Sequence, residues 1–296
     1  MKTLLVIASS LAVSLVFSLC LYGQSKSEAQ AAWDSALEQL AQCERALDHV
    51  YAVASIERSV QRSHEDLPTI ITKATARIWT DDPKYRVEIE NEISLESIGK
   101  GRPYTPTGIR RHTLTFDGAT VCSVLDMDNG DRKGFDYGRE YALPLMFAGF
   151  PSTHPVRPWT LSLQVDRLQA KEFDCDYLPS GMLHVQSRAS RPRDRSRAIY
   201  YLTPKSYEIR RIEYRDSFKR LGSVDLTWST YDEKVFLERF VRQGRAASSQ
   251  FPGEEFHNKT TFEILHIQTD QEISQDWFTR ESLGDAGTWI HVPTTY

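Results

Sequence analysis

The sequence has no surplus of positive charge, little cysteine and, past its N-terminus, no long apolar run. Against 40 Asp and Glu it sets 36 Lys and Arg, for a formal net charge of -4. A global basic field for nucleic acid is therefore absent. The four cysteines show neither CxxC nor metal-finger spacing, which argues against a zinc or dithiol redox centre. Equally missing are HExxH, GxSxG, a Walker loop and GxGxxG, the short motifs that carry a mechanism on their face. What is present is an ordinary globular balance, 40% apolar, 26% charged and 11% aromatic, which excludes a disordered, collagenous or coiled-coil chain.

The N-terminus has a different character. After Lys2 no charge occurs from Thr3 to Tyr22, and polar residues return at Gln24. One basic residue, an apolar core from Leu4 to Leu21 and the small Gly23 predict a secretory signal over residues 1–23, cleaved before Gln24. The alternative is an uncleaved anchor, since the run approaches spanning length. Cys20 follows Phe17-Ser18-Leu19, and the bulky Leu19 does not suit a lipobox. The remaining chain, 24–296, is expected to be exported and soluble, as one β-rich domain. Cleavage leaves Cys43, Cys122 and Cys175, an odd number, so at most one disulfide can form. Cys175 alternates with Phe173 and Tyr177, which predicts a buried apolar role.

From Ser27 to Cys43 the apolar residues Ala29, Trp33, Ala36, Leu37 and Leu40 recur at three and four, predicting one amphipathic helix. The period then becomes two. Val50, Ala52, Ala54 and Ile56, then Tyr85, Val87 and Ile89, alternate with polar residues as strands with one wet face do. Asp117-Gly118 and Asn129-Gly130 are strong hairpin signals. Residues 134–166, with Pro144, Pro151, Pro155 and Pro158, read as a proline-rich insertion, a short helix or covering loop. Strands resume from Phe173, and a shift of apolar face across Arg210-Arg211 predicts a bulge. About eleven strands following one helix exclude βαβ folds. The expected class is mainly β with an N-terminal helix (α+β): a large curved antiparallel sheet, or unclosed β-barrel, wrapped around the helix.

Chemistry is sparse. The eight histidines stand singly with no i, i+4 pair, so no metal site is expected. Asp126, Asp128 and Asp131 surround Asn129-Gly130, but an EF-hand's sixth and twelfth places would be Asp131 and Tyr137, so a solvated turn is expected. Arg191, Arg193, Arg195 and Arg197 form a basic patch on a linker, either a functional surface for anionic lipid or an acidic partner, or a solvated loop paired with nearby acids. Among the strand aromatics, Trp79, Phe116, Phe173, Tyr201 and Trp228 are the predicted lining of an apolar cavity, unless that face is filled by core.

The helix-to-strand entry from Leu37 to Ile56, the hairpin from Ile78 to Glu88 (IWTDDPKYRVE), the segment from Tyr200 to Ile209 (YYLTPKSYEI) and the closing Ile264 to Phe278 together resemble the periplasmic outer-membrane lipoprotein-sorting (carrier and receptor) superfamily. That resemblance implies an unclosed barrel with a helical lid over a hydrophobic cavity, holding a lipid, an acyl chain or a lipidated protein without catalysis. Segment 134–166, the arginine-rich linker and the tail 280–296 look like additions to that pattern.

The leading expectation is thus an exported binding protein for a lipid or other apolar ligand, with no cofactor and no nucleic acid. A second is an envelope sensor or scaffold binding a protein partner. A third, an exported hydrolase, would need His112, His184 or His266 beside a Ser and an Asp.

Overall fold

The computed structural model describes residues 27–42, 49–62, 69–81, 83–92, 109–138, 172–188, 197–203, 208–216, 219–247, 255–269 and 271–292. Residues 27–42 are helical (α1). The strands are β1 (His49–Arg62), β2 (Ile70–Asp81), β3 (Lys84–Glu92), β4 (Ile109–Phe116), β5 (Val121–Met127), β6 (Arg132–Asp136), β7 (Phe173–Tyr177), β8 (Leu183–Ser187), β9 (Arg197–Leu202), β10 (Ile209–Asp216), β11 (Lys219–Tyr231), β12 (Lys234–Ala247), β13 (Glu255–Thr269) and β14 (Thr288–His291). Two 3₁₀ turns, Gln275–Phe278 and Glu281–Leu283, precede β14.

The fourteen described strands form one sheet, in the order β14-β6-β5-β4-β3-β2-β1-β13-β12-β11-β10-β9-β8-β7. This order does not return to its start, so the sheet is unclosed, and β14 and β7 are its edges among the described strands. Two antiparallel meanders, β1–β6 and β7–β13, are joined by the pairing of β1 with β13. Only β14 departs from the antiparallel pattern, lying parallel to β6.

The hairpin turns are made by the residues the sequence singled out. Gly118 takes φ +96° and Gly130 φ +87°, a region open to glycine at little cost. The Asp117 carboxylate accepts from the Ala119 and Thr120 amides at 2.8 and 2.7 Å. At the other turn the Asn129 side chain accepts from the Asp131 amide, and Arg132 pairs with Asp126 at 3.2 Å. Those acids serve a hairpin, and no cluster suited to holding a metal occurs among the described residues. The expected bulge is present as well: Ile209 faces Leu202 while Arg211 faces Tyr201, leaving Arg210 as the extra residue.

Helix α1 buries the predicted stripe. Ala29, Trp33, Ala36, Leu37 and Leu40 are buried in one cluster with residues of the strands, from Phe173 and Cys175 at one side of the sheet to Phe116 and Val121 at the other. A helix this short has little stability of its own, so that stripe is what holds it folded. Burying each large apolar side chain contributes about 1.5–3 kcal/mol.

Residues 134–136, expected to open the proline-rich insertion, belong to β6, and 139–166 lie outside the described residues. Of the tail 280–296, read as an addition, the described residues 280–292 hold the second 3₁₀ turn and the sheet strand β14, and 293–296 lie outside the described residues. No helix among the described residues is long and apolar enough to cross a membrane.

Candidate functional site

Strand register divides the sheet into two chemically distinct faces. Ala52 lies opposite Ile78, Ile78 opposite Val87, Val87 opposite Leu114 and Leu114 opposite Ser123. Directly opposed residues share a face, so this row and those two residues away define an inner face, the one α1 packs on. On the other meander the inner face continues as Ile56, Phe262, Phe240 and Leu226. The next row runs Arg58, Thr260, Arg242, Val224, Ile212, Tyr200, Val185 and Cys175.

Of the five predicted lining residues, the structure puts Phe116, Phe173 and Trp228 on the inner face and Trp79 and Tyr201 on the outer one. Phe116 stacks on Tyr85 with ring centroids 5.6 Å apart. Phe173 and Tyr200 both meet Trp33 of the helix. Trp228 is partly buried against the core, and its indole N–H donates to the Ile209 carbonyl at 2.8 Å. Trp79 faces outward because its register partner is Arg86, while Ile78 takes the inward place; it packs on Tyr51 and Trp277. Tyr201 points away because Tyr200 points in: neighbours on a strand cannot share a face.

The inner face carries unusual polar groups. Trp33 Nε1, Thr80 Oγ1, Tyr85 OH and His112 Nε2 are buried without a hydrogen-bond partner, and burial pulls His112 down to about 4. Thr80 and Tyr85 oppose one another across β2 and β3. Burial also holds the thiols up, Cys122 to about 11 and Cys175 to about 12, so both are weak nucleophiles. They occupy opposite faces, Cys175 with Val185 inside and Cys122 with Val124 outside, and both are free. Cys43 lies outside the described residues.

The outer face of the first meander is covered by the C-terminal segment, which the sequence reading missed as a structural part. Arg86 is buried; its guanidinium lies 4.0 Å over the Trp277 ring, donates to the Trp277 carbonyl and Ser282 hydroxyl at 3.2 and 2.9 Å, and pairs with Glu88 at 2.8 Å. Arg280 stacks on Trp289 at 4.1 Å, and Arg132 donates to the Leu283 carbonyl. Leu283 and Ala286 bury Cys122 and Val124, and a Cβ on Gly134 would come within 2.6 Å of Trp289. The four residues Thr288-Trp289-Ile290-His291 are too few to show a strand period.

Of the basic patch, Arg197 is exposed on β9, while Arg191, Arg193 and Arg195 lie outside the described residues. The arginines around them are paired: Arg188 with Glu172 and Asp174, Arg210 with Glu208, and Arg211 and Arg215 with the buried Glu213. The three histidines considered for hydrolysis do not share a face. His112 is inside; His184, against Tyr201, and His266, against Tyr51, are outside.

No family model matches the chain, and no curated protein does. Among solved structures it is similar to a DUF1329 family protein from Desulfovibrio piger, at 11% identity over 86% of this chain and 98% of that one, with a TM-score of 0.48. It is also similar to a LolA superfamily protein from Nitrosomonas europaea, at 9% identity over 84% and 98%, TM-score 0.45. A structure of lipid–protein interactions in lipovitellin matches at 6% identity over 77% of this chain and 26% of that one, TM-score 0.33.

Proposed function

We propose that this chain is an exported, non-catalytic binding protein that holds a lipid, acyl chain or other apolar ligand between helix α1 and the inner face of its sheet. One observation carries the reading. A face of fourteen strands, at about 4.8 Å per strand, extends roughly 60 Å from edge to edge, whereas a helix of this length is about 24 Å long and 10–12 Å wide. The helix covers part of a face that is apolar across both meanders.

Trp228, Ile264 and Ile267 are only partly buried where they border the core, and these are the positions a bound chain would finish covering. Phe116 and Phe173 line the same face further out on each meander. Each methylene taken from water contributes about 0.8 kcal/mol, enough to hold a long acyl chain without any reaction. Export rests on the uncharged stretch after Lys2 and its small-residue exit at Gly23. Sheet curvature around α1 is part of the same proposal.

Native mass spectrometry of the mature protein, purified from the envelope in which it is made, should reveal a retained apolar ligand that a fluorescent acyl probe can replace. A protein that carries none and takes up none would overturn the reading.

A further inference from the structure

The inner face is not electrically neutral. Among strand residues whose side chains are described, outside bulges and turns, no Asp or Glu falls on it. The acids Glu57, Glu88, Glu90, Asp126, Glu213, Asp225 and Glu263 all take outer-face register positions. Arg58 and Arg242 take inner ones, each directly opposite Thr260. Their backbones are two strands apart, about 10 Å, a gap that two arginine side chains can close onto one acid group.

The next row shapes a seat beside them. Asn258 faces Gly244, Gly244 faces Gly222 and Gly222 faces Tyr214. The two central positions have no side chain, and Gly222 cannot gain one, because a Cβ there would lie 2.6 Å from the Gln243 carbonyl oxygen. Asn258, Arg242 and Tyr214 are open to solvent around this floor, while Arg58 is partly buried, enough to lower its pKa. Arg242 is near enough to act electrostatically on Tyr214. Arg58 already has an interaction within the protein, so an incoming acid joins an occupied cation. Toward the strand centres the surface turns apolar at once, through Ile56, Phe262, Phe240 and Leu226. A rim with two cations, no carboxylate among the described side chains and a side-chain-free floor, adjoining an apolar surface, has the polarity of an acidic amphiphile.

We propose that the ligand is an amphiphile with an anionic headgroup, its acid seated between Arg58 and Arg242 over the Gly222–Gly244 floor and its chain running onto the inner face. The inference rests on the binding reading above and adds the headgroup's charge. A carboxylate and a phosphate share this chemistry.

The test is displacement of a fluorescent acyl probe from the full mature chain by three amphiphiles of equal chain length, each below its micelle concentration: a fatty acid, a lysophosphatidic acid and an uncharged monoacylglycerol. The acids should bind roughly tenfold more tightly than the monoacylglycerol, charge-assisted contacts being the strong ones. The tighter of the two acids identifies carboxylate or phosphate as the natural group. R242Q, at an exposed position, should reduce acid binding and leave the monoacylglycerol unchanged, and the R58Q/R242Q double variant should abolish the preference. Equal binding of acid and neutral ligands, or a preference that survives in a folded double variant, would overturn the headgroup site while leaving the carrier reading intact. Failure of all three ligands to bind would overturn both.

Discussion

The indole of Trp33 stands edge-on to the ring of Phe173, with centroids 5.1 Å apart and planes inclined by 63°. This contact fastens α1 to the edge strand β7, and Tyr200, 5.5 Å from the same indole, completes the aromatic group. An edge strand of five residues and a lone helix are each weak alone; packed aromatics let them stabilise one another. Trp33→Ala should therefore destabilise the protein by about 3–5 kcal/mol, read as a lowered urea midpoint. Because the buried Trp33 N–H lacks a partner, Trp33→Phe should cost distinctly less, since it removes that N–H along with some volume.

His112 makes the protein acid-sensitive. It stays neutral in the folded state down to about pH 4, whereas its unfolded value is 6.5. Between those limits the unfolded chain binds the extra proton, so stability falls as the pH drops from 6.5 toward 4 and this contribution levels off below. At 1.36 kcal/mol per pH unit the loss is about 3 kcal/mol. Urea unfolding at several pH values in that window, compared with His112→Leu, should show the wild type losing this amount relative to the variant.

The C-terminal clamp can be read from a thiol. Cys122 is covered by Leu283 and Ala286, whereas Cys175 is sealed on the opposite face near Gln30 of the helix. Leu283→Ala, a change typically costing about 2–5 kcal/mol when buried, should raise the rate of Cys122 alkylation roughly tenfold or more while leaving Cys175 protected. Mass mapping of the alkylated peptides distinguishes the two. Equal acceleration at both would mean global loosening, not release of the clamp.

The β11–β12 hairpin turns on Asp232 and Glu233, with φ +46° and +62°. Two positive φ values in a two-residue turn favour Asn-Gly, and neither side chain present is glycine. Replacing the pair by Asn-Gly should stabilise the protein by about 1 kcal/mol, raising the thermal midpoint without altering ligand binding.

The alternation of Tyr85, Val87 and Ile89 and the three-and-four spacing of Trp33, Leu37 and Leu40 were enough to read a helix followed by antiparallel strands, and even the Arg210 bulge. The facing of individual aromatics was not legible. Trp79 sits between Ile78 and Thr80, and only the pairing with β3 decides whether it or its two neighbours point inward. For Tyr200-Tyr201 one ring had to be lost from the lining, and sequence alone does not choose which. β14 escaped notice because four residues beyond two 3₁₀ turns offer too short a period to count. The Arg58–Arg242 relation was invisible for a related reason: it depends on both strands pairing with Thr260 from opposite sides.

That double pairing also bears on the order in which the chain can fold. β1 lies at the middle of the sheet, yet it meets β13 with Val50 opposite Thr269, almost the whole described chain apart. β2 through β6 can each dock on a strand just completed, as can β8 through β12. The central seam must await the last long strand and bear the loop-closure entropy of joining distant segments. The two meanders would then be the early-forming units, and the β1–β13 seam the step that turns two half-sheets into one continuous face.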